Sequence, residues 1–181
     1  MRSMVEVSHD FLKPVLHRDA VMIDATLGTG RDAAFFLKKA RRVIAFEIQP
    51  ETAARCRRRM PDERLEIRVE NHIHIADLPL EADGIIFNFG WDPAGGHEVV
   101  TQAADSLKAV QAALEKLRVK GRMALVFYPH DQGRQEAQVI EEWLATLDHR
   151  RFPCEKVVLL NSPRSPWCVL IEKRKPASAA E

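Results

Sequence analysis

The sequence predicts an α/β domain: a seven-stranded, mostly parallel sheet with one antiparallel strand and helices on both faces. Three observations carry that expectation. Apolar runs of strand length alternate with amphipathic stretches from residue 20 to residue 147, and such alternation builds a parallel sheet wrapped by helices. Two more strand-like runs follow with only a Pro-rich turn, SPRSP (162–166), between them. So short a turn forces them antiparallel, because parallel neighbours need a crossover of about a dozen residues. The 181 residues suit a single core, expected over 1–175, with 176–181 as a frayed tail.

The elements follow in order. HDFLKPVLH (9–17) reads as an opening helix kinked near Pro14. AVMIDA (20–25) is a buried strand, RDAAFFLKKA (31–40) a helix and RRVIAFE (41–47) a second strand. PETAARCRRRM (50–60) is a helix with Pro50 suited to its first turn. RLEIRVEN (64–71) and ADGIIFNF (82–89) are strands joined by a short polar stretch. TQAADSLKAVQAALEKLR (101–118) is the clearest helix, with Leu107, Val110, Leu114 and Leu117 on one stripe. A strand RMALVFY (122–128), a helix QEAQVIEEWLATL (135–147) and the strands CEKVVLLN (154–161) and WCVLIEK (167–173) complete the chain.

Bulk chemistry excludes several classes. No apolar run approaches the ~20 residues of a membrane span, and the N-terminal stretch has no signal-peptide core. A cytoplasmic protein with no membrane partner is expected. Cys56, Cys154 and Cys168 are dispersed and form no CxxC pair, so neither a disulfide framework nor a zinc knuckle is expected, and no metal. The net charge of +1 hides two basic clusters, Lys38/Lys39/Arg41/Arg42 and Arg55/Arg57/Arg58/Arg59. Clusters of this kind can meet phosphates or form a solvated helix face.

The strongest local signal is Asp24-Ala-Thr-Leu-Gly28-Thr-Gly30, between the first strand and the next helix. Gly28 and Gly30 permit a tight turn and close backbone approach to a ligand. The helix then opens with free N–H groups, and Asp24 is placed to meet a cationic ligand. Glu47 ends the second strand 19 residues after Gly28, where an acidic side chain can accept both ribose hydroxyls. Gly28-x-Gly30-x-x-Ala33 also fits a dinucleotide fingerprint, so NAD is the competing ligand. The upstream Asp24, the final strand pair and the lack of room for a substrate domain favour S-adenosylmethionine (SAM). Two later strand ends fit the same crevice: His72, able to border an adenine, and Asn88. The fold is then the Rossmann-like one of class I methyltransferases.

These segments also resemble one family. DATLGTGRDA (24–33) is similar to the DATxGNGxDT opening of the YtqB/MnmM family, formerly labelled rRNA methylases, and FEIQ (46–49) to its FDIQ. FNFGWDPAGGHE (87–98) resembles FNLGYLPGGDK, and LVFYPHDQG (125–133) and CVLIEK (168–173) are similar too, so the likeness runs from about residue 8 to 173. It implies methyl transfer from SAM to the amine of 5-aminomethyluridine at the tRNA wobble position, giving 5-methylaminomethyluridine. It also implies a tRNA anticodon arm as partner and a possible homodimer. It carries Asp24, Thr26, Gly28, Gly30 and Asp32 to the methionine part of SAM, Glu47 and Gln49 to the ribose, His72 to the adenine, and Asn88 and Gly90 to the methyl group. Departures fall mostly on the substrate side: Thr29 replaces Asn, Pro93–Gly96 is stretched, and no Gly precedes His130.

An amine acceptor must lose a proton before it can attack a sulfonium methyl, and Asp92 or His130 could take it. Asn88 could instead orient the amine, Trp91 or Tyr128 could stack a splayed uridine, and Arg57 and Arg58 could hold phosphates. The alternatives are a small-molecule or rRNA methyltransferase of the same fold, and an NAD-binding protein.

Overall fold

The computed structural model describes residues 1–89 and 103–176, without the side chain of Gln132. Helix α1 (Met4–Leu12) starts five residues before the expected position. The reason is a capping box: the Glu6 N–H donates to Ser3 Oγ at 3.2 Å, and Ser3 N–H donates to Glu6 Oε2 at 2.7 Å. Such a cap contributes about 1 kcal/mol, and its S-x-x-E pattern stands openly in the sequence. The helix tightens into a 3₁₀ turn (Lys13–Val15) at Pro14, where the kink was expected.

Next come β1 (Val21–Asp24), α2 (Arg31–Phe36), β2 (Arg42–Phe46), α3 (Pro50–Arg59) and β3 (Leu65–Arg68). The polar stretch after β3 is a 3₁₀ helix (His72–Asp77), capped by Asn71 Oδ1 accepting from the Ile73 N–H at 3.0 Å. Then follow β4 (Ala82–Phe89), α4 (Ala103–Lys116), β5 (Leu117–Phe127), α5 (Asp131–Leu144), β6 (Cys154–Val157) and β7 (Trp167–Glu172). Several boundaries differ from expectation: α2 and β6 each end four residues early. Strand β5 takes over Leu117 and Arg118, which helical periodicity assigned to α4. Pairing of Leu117 with Ala82 across the sheet outweighs local propensity there. Helix α5 begins four residues early, because His130 Nδ1 accepts the Gly133 N–H at 2.9 Å as its N-cap.

The sheet order is β3-β2-β1-β4-β5-β7-β6. Every neighbouring pair is parallel except those made by β7, which runs antiparallel to both β5 and β6. Successive strand residues face opposite sides, which gives two cores. Ile23, Ile44, Phe87, Leu125 and Phe127 face α4, α5 and the second 3₁₀ helix. Met22, Val43, Ala45, Ile86 and Val126 face α1, α2 and α3. The first core is aromatic, with Phe87, Phe89 and Phe127 stacked at 5.2 and 5.1 Å between centroids. The chain leaves β1 toward β2 on one side and returns to β4 on the other. That switch point opens a crevice at the carboxyl ends of β1 and β4, the usual ligand position in open α/β sheets.

Candidate active site

The loop from β1 to α2 is held by two carboxylates. Asp24 is fully buried; its oxygens accept from the Thr26 N–H at 3.2 Å and the Ala33 N–H at 3.0 Å. Burial, reinforced by the nearby Asp32 carboxylate, pushes the Asp24 carboxyl well above the usual range. Asp24 therefore sets the loop's shape from beneath, with both oxygens turned to the backbone. Glu47 clasps the loop from β2, accepting from the Gly28 N–H at 3.0 Å and the Gln49 N–H at 2.9 Å. From α3, Cys56 Sγ donates to the Gly28 carbonyl at 3.3 Å and Arg59 donates to the Thr29 carbonyl.

Gly28 and Gly30 both adopt left-handed conformations, φ +45° and +76°. Their surroundings differ. A Cβ on Gly28 would meet only the Thr26 carbonyl oxygen, at 3.9 Å, so its outer side is open to a ligand. A Cβ on Gly30 would come within 2.5 Å of Met60 Cε, the movable end of a flexible side chain, so that glycine points toward α3 and is required by its left-handed backbone.

On the β4 side, the Asn88 N–H donates to Thr26 Oγ1 at 2.7 Å, and Asn88 Nδ2 donates to Asp32 Oδ2 at 3.3 Å. Tyr128, at the end of β5, hydrogen-bonds Asn88; burial and the Asp32 charge push its phenol up. His9 of α1 reaches the same place: His9 Nε2 lies 2.6 Å from Asp32 Oδ1, with its ring stacked on Phe35 at 3.9 Å. His72 lines the far side, its Nδ1 3.2 Å from the Ala25 carbonyl. A carbonyl can only accept, so Nδ1 carries the proton and Nε2 is an acceptor. Burial lowers the His72 pKa to about 4, which keeps the ring neutral.

Two buried side-chain atoms have no hydrogen-bond partner among the described residues: His72 Nε2 and Asn88 Oδ1. Both are acceptors at this crevice, and buried acceptors without partners are rare enough to point to a ligand. With the open side of Gly28 and the Glu47 carboxylate, they fit a nucleoside bearing an amine at one end and a cationic group at the other.

The structure thus brings together Asp24, Thr26, Gly28, Gly30, Asp32, Glu47, Gln49, His72, Asn88 and Tyr128 at neighbouring strand ends. Gly90, Trp91 and Asp92 lie outside the described residues. His130 uses Nδ1 as the cap of α5. Arg57 and Arg58 are both exposed; Arg57 donates to the Ile67 carbonyl at 2.6 Å, tying α3 to β3, whereas Arg58 makes no hydrogen bond among the described residues. His9 is the site residue that sequence reasoning missed. Its partner Asp32 is 23 residues away, and no local pattern signals a contact made only when α1 crosses the sheet.

Strand order, the β1 loop and the two orphaned acceptors define a class I, SAM-dependent methyltransferase. The chain belongs to the family described as "Putative rRNA methylase", which matches residues 43–173, in agreement with the YtqB/MnmM resemblance. It is 27% identical to the chloroplastic tRNA (mnm(5)s(2)U34)-methyltransferase of Arabidopsis thaliana, over 96% of this chain and 70% of that one. Among solved structures it is similar to a Streptococcus mutans protein in complex with SAH (30% identity, TM-score 0.87, covering 96% and 99% of the two chains). It is also similar to an rRNA methylase from Streptococcus thermophilus (27% identity, TM-score 0.83, 97% and 99%). No helix among the described residues is long and apolar enough to cross a membrane.

Proposed function

We propose that this enzyme methylates the amine of 5-aminomethyluridine at the tRNA wobble position, giving 5-methylaminomethyluridine. The observation that carries the reading is the similarity, over 96% of this chain, to the plant tRNA (mnm(5)s(2)U34)-methyltransferase. The chemistry of the crevice supports it: Asp32, 6% exposed and bonded to Asn88, offers negative charge beside the methyl-transfer position, where a cationic amine would enter.

When bound, SAM supplies a methyl group on a sulfonium for in-line displacement. The protein's own residues bind and orient. Glu47 accepts from the ribose hydroxyls, a role within reach of a carboxylate that also holds backbone, since it can accept about four hydrogen bonds. Gln49 sits beside it at the start of α3. His72 Nε2 accepts from the adenine amine. Gly28 lets the backbone approach the methionine part, Gly30 completes the turn beneath it with a left-handed backbone, and Thr26 fixes Asn88 through its main chain. Asn88 Oδ1 accepts from the incoming amine and aims its lone pair, and positioning of this kind supplies much of the rate. Tyr128 stacks the splayed base and Arg58 meets phosphate; His130, a candidate to take the amine proton, caps α5, and Trp91 and Asp92, candidates for stacking and for taking that proton, lie outside the described residues.

Label transfer tests the reading. Protein and labelled SAM are mixed with tRNA from cells that accumulate the aminomethyl intermediate, and the nucleosides are separated. Label in wobble 5-methylaminomethyluridine is the expected result. Transfer to rRNA or to free small amines, with none at the wobble position, overturns the acceptor and leaves the methyltransferase.

A further inference from the structure

We propose that Asp32 and His9 form the proton-acceptor pair of the acceptor site: Asp32 takes the proton of the substrate ammonium, and His9 is the positioning residue that holds Asp32 in place by a hydrogen bond. The inference rests on the amine-acceptor reading above. It begins from geometry. Asp32 Oδ2 lies 3.3 Å from Asn88 Nδ2, on the β4 side of the crevice, away from Glu47 on the ribose side. Asp32 Oδ1 lies 2.6 Å from His9 Nε2. Asp32 is thus bonded at one oxygen to Asn88, the residue to which the proposed function gives the amine, and at the other to an imidazole. The pair is graded in burial, with side-chain exposures of 6% for Asp32 and 17% for His9. The His9 ring is fixed by flat stacking on Phe35, an arrangement that holds a base in one orientation.

The proton balance is simple. An N–H bond of the ammonium breaks as an O–H bond forms at Asp32 Oδ2, freeing the nitrogen lone pair. His9 Nε2–H donates to Asp32 Oδ1 throughout and keeps its proton, so Oδ2 is the oxygen that takes the ammonium proton; once the product has left, Oδ2 releases that proton to water and the carboxylate is restored. The free amine then displaces the methyl from sulfur, and the product leaves as a secondary ammonium.

The charged groups around the pair are few. Asp24 beneath Asp32 and Tyr128 from β5 face the carboxylate, and Arg31 of α2 lies near Tyr128. Lys38 lies over the outer ring of Phe35, 5.8 Å from its centroid. On α1, Glu6 is engaged in the capping box, and Asp10 is bonded to Arg2 and Lys13. Arg122 of β5 donates to the Phe11 carbonyl.

The test compares wild type, His9→Gln and Asp32→Asn in single-turnover methyl transfer to aminomethyl-tRNA from pH 6 to 10, with SAM affinity measured in parallel. His9→Gln is expected to lower the rate at neutral pH by about tenfold to a hundredfold. The deficit should shrink toward high pH, where the acceptor is already free base, and SAM affinity should stay within about twofold of wild type. Asp32→Asn should show the same pH-dependent deficit, larger in size. Imidazole should restore part of the rate to His9→Ala at neutral pH, since a stacking slot remains on Phe35. A rate loss uniform across pH, or a loss confined to SAM affinity, overturns the inference and makes the pair a cofactor-site scaffold. Wild-type transfer with an unchanged His9→Gln profile overturns it while leaving the function standing. Absence of wild-type transfer removes the function and this inference together.

Discussion

Replacing Gly28 by alanine separates ligand binding from folding at this site. Gly28 adopts φ +45°, and an added Cβ would meet nothing nearer than the Thr26 carbonyl oxygen at 3.9 Å. The cost to the fold is therefore confined to the left-handed backbone, about 1–2 kcal/mol. For a chain of this size that lowers Tm by roughly 2–8 °C. The same methyl projects to the open side of the loop, where SAM must come closest to the backbone. Forcing a methyl into a close-packed contact costs about 1–3 kcal/mol, or roughly 5–150-fold in Kd. Gly30→Ala is the control: its Cβ would point at the movable Met60 Cε, 2.5 Å away, and not at the open side of the loop, so its penalty falls on the left-handed backbone and the fold. Calorimetry with SAM and thermal unfolding of both variants give the comparison. Gly28→Ala binding SAM as tightly as wild type would refute the placement of the cofactor at this loop.

Three further outcomes are expected. Glu47→Ala should weaken SAM binding by about 1.5–3 kcal/mol, the range for charge-assisted hydrogen bonds; with a SAM analogue lacking both ribose hydroxyls only the share owed to the Gly28 N–H clasp should remain, and equal losses for both ligands would mean Glu47 acts through the loop alone. His72 has a pKa lowered from 6.5 to about 4 by burial, so the native state binds fewer protons than the unfolded chain between those values. Its contribution is whole above pH 6.5 and is lost as pH falls toward 4, about 3 kcal/mol in all; urea unfolding at pH 7 and pH 4.5 should show a smaller acid loss in His72→Gln, and identical losses would refute this. Arg58→Gln should reduce the slope of log affinity for tRNA against log salt by about one phosphate contact, whereas an unchanged slope would show that this face of α3 does not meet RNA.

Much of this enzyme was legible in order along the chain. Strand and helix types follow from apolar periodicity, because a residue's face within its own element depends on spacing of 2 or about 3.6 residues. The antiparallel β7 follows from the shortness of the turn before it. The positions of Gly28, Gly30, Glu47, His72 and Asn88 follow from being next to strand ends, since parallel strands share one carboxyl edge. Tertiary structure decided what those residues touch. Asp24 could be placed at the loop from sequence, but only packing shows its carboxylate buried and spent on the Thr26 and Ala33 N–H groups. Arg57 and Arg58 are adjacent, chemically identical and both exposed, yet Arg57 hydrogen-bonds β3 and Arg58 has no hydrogen bond among the described residues, because helix rotation separates neighbours by about 100°. His9 lies furthest from prediction. Its contact with Asp32 depends on where α1 crosses a sheet built from residues 21–172, and the direction of such a crossing is set by the whole packed surface beneath it, which no local window of sequence contains.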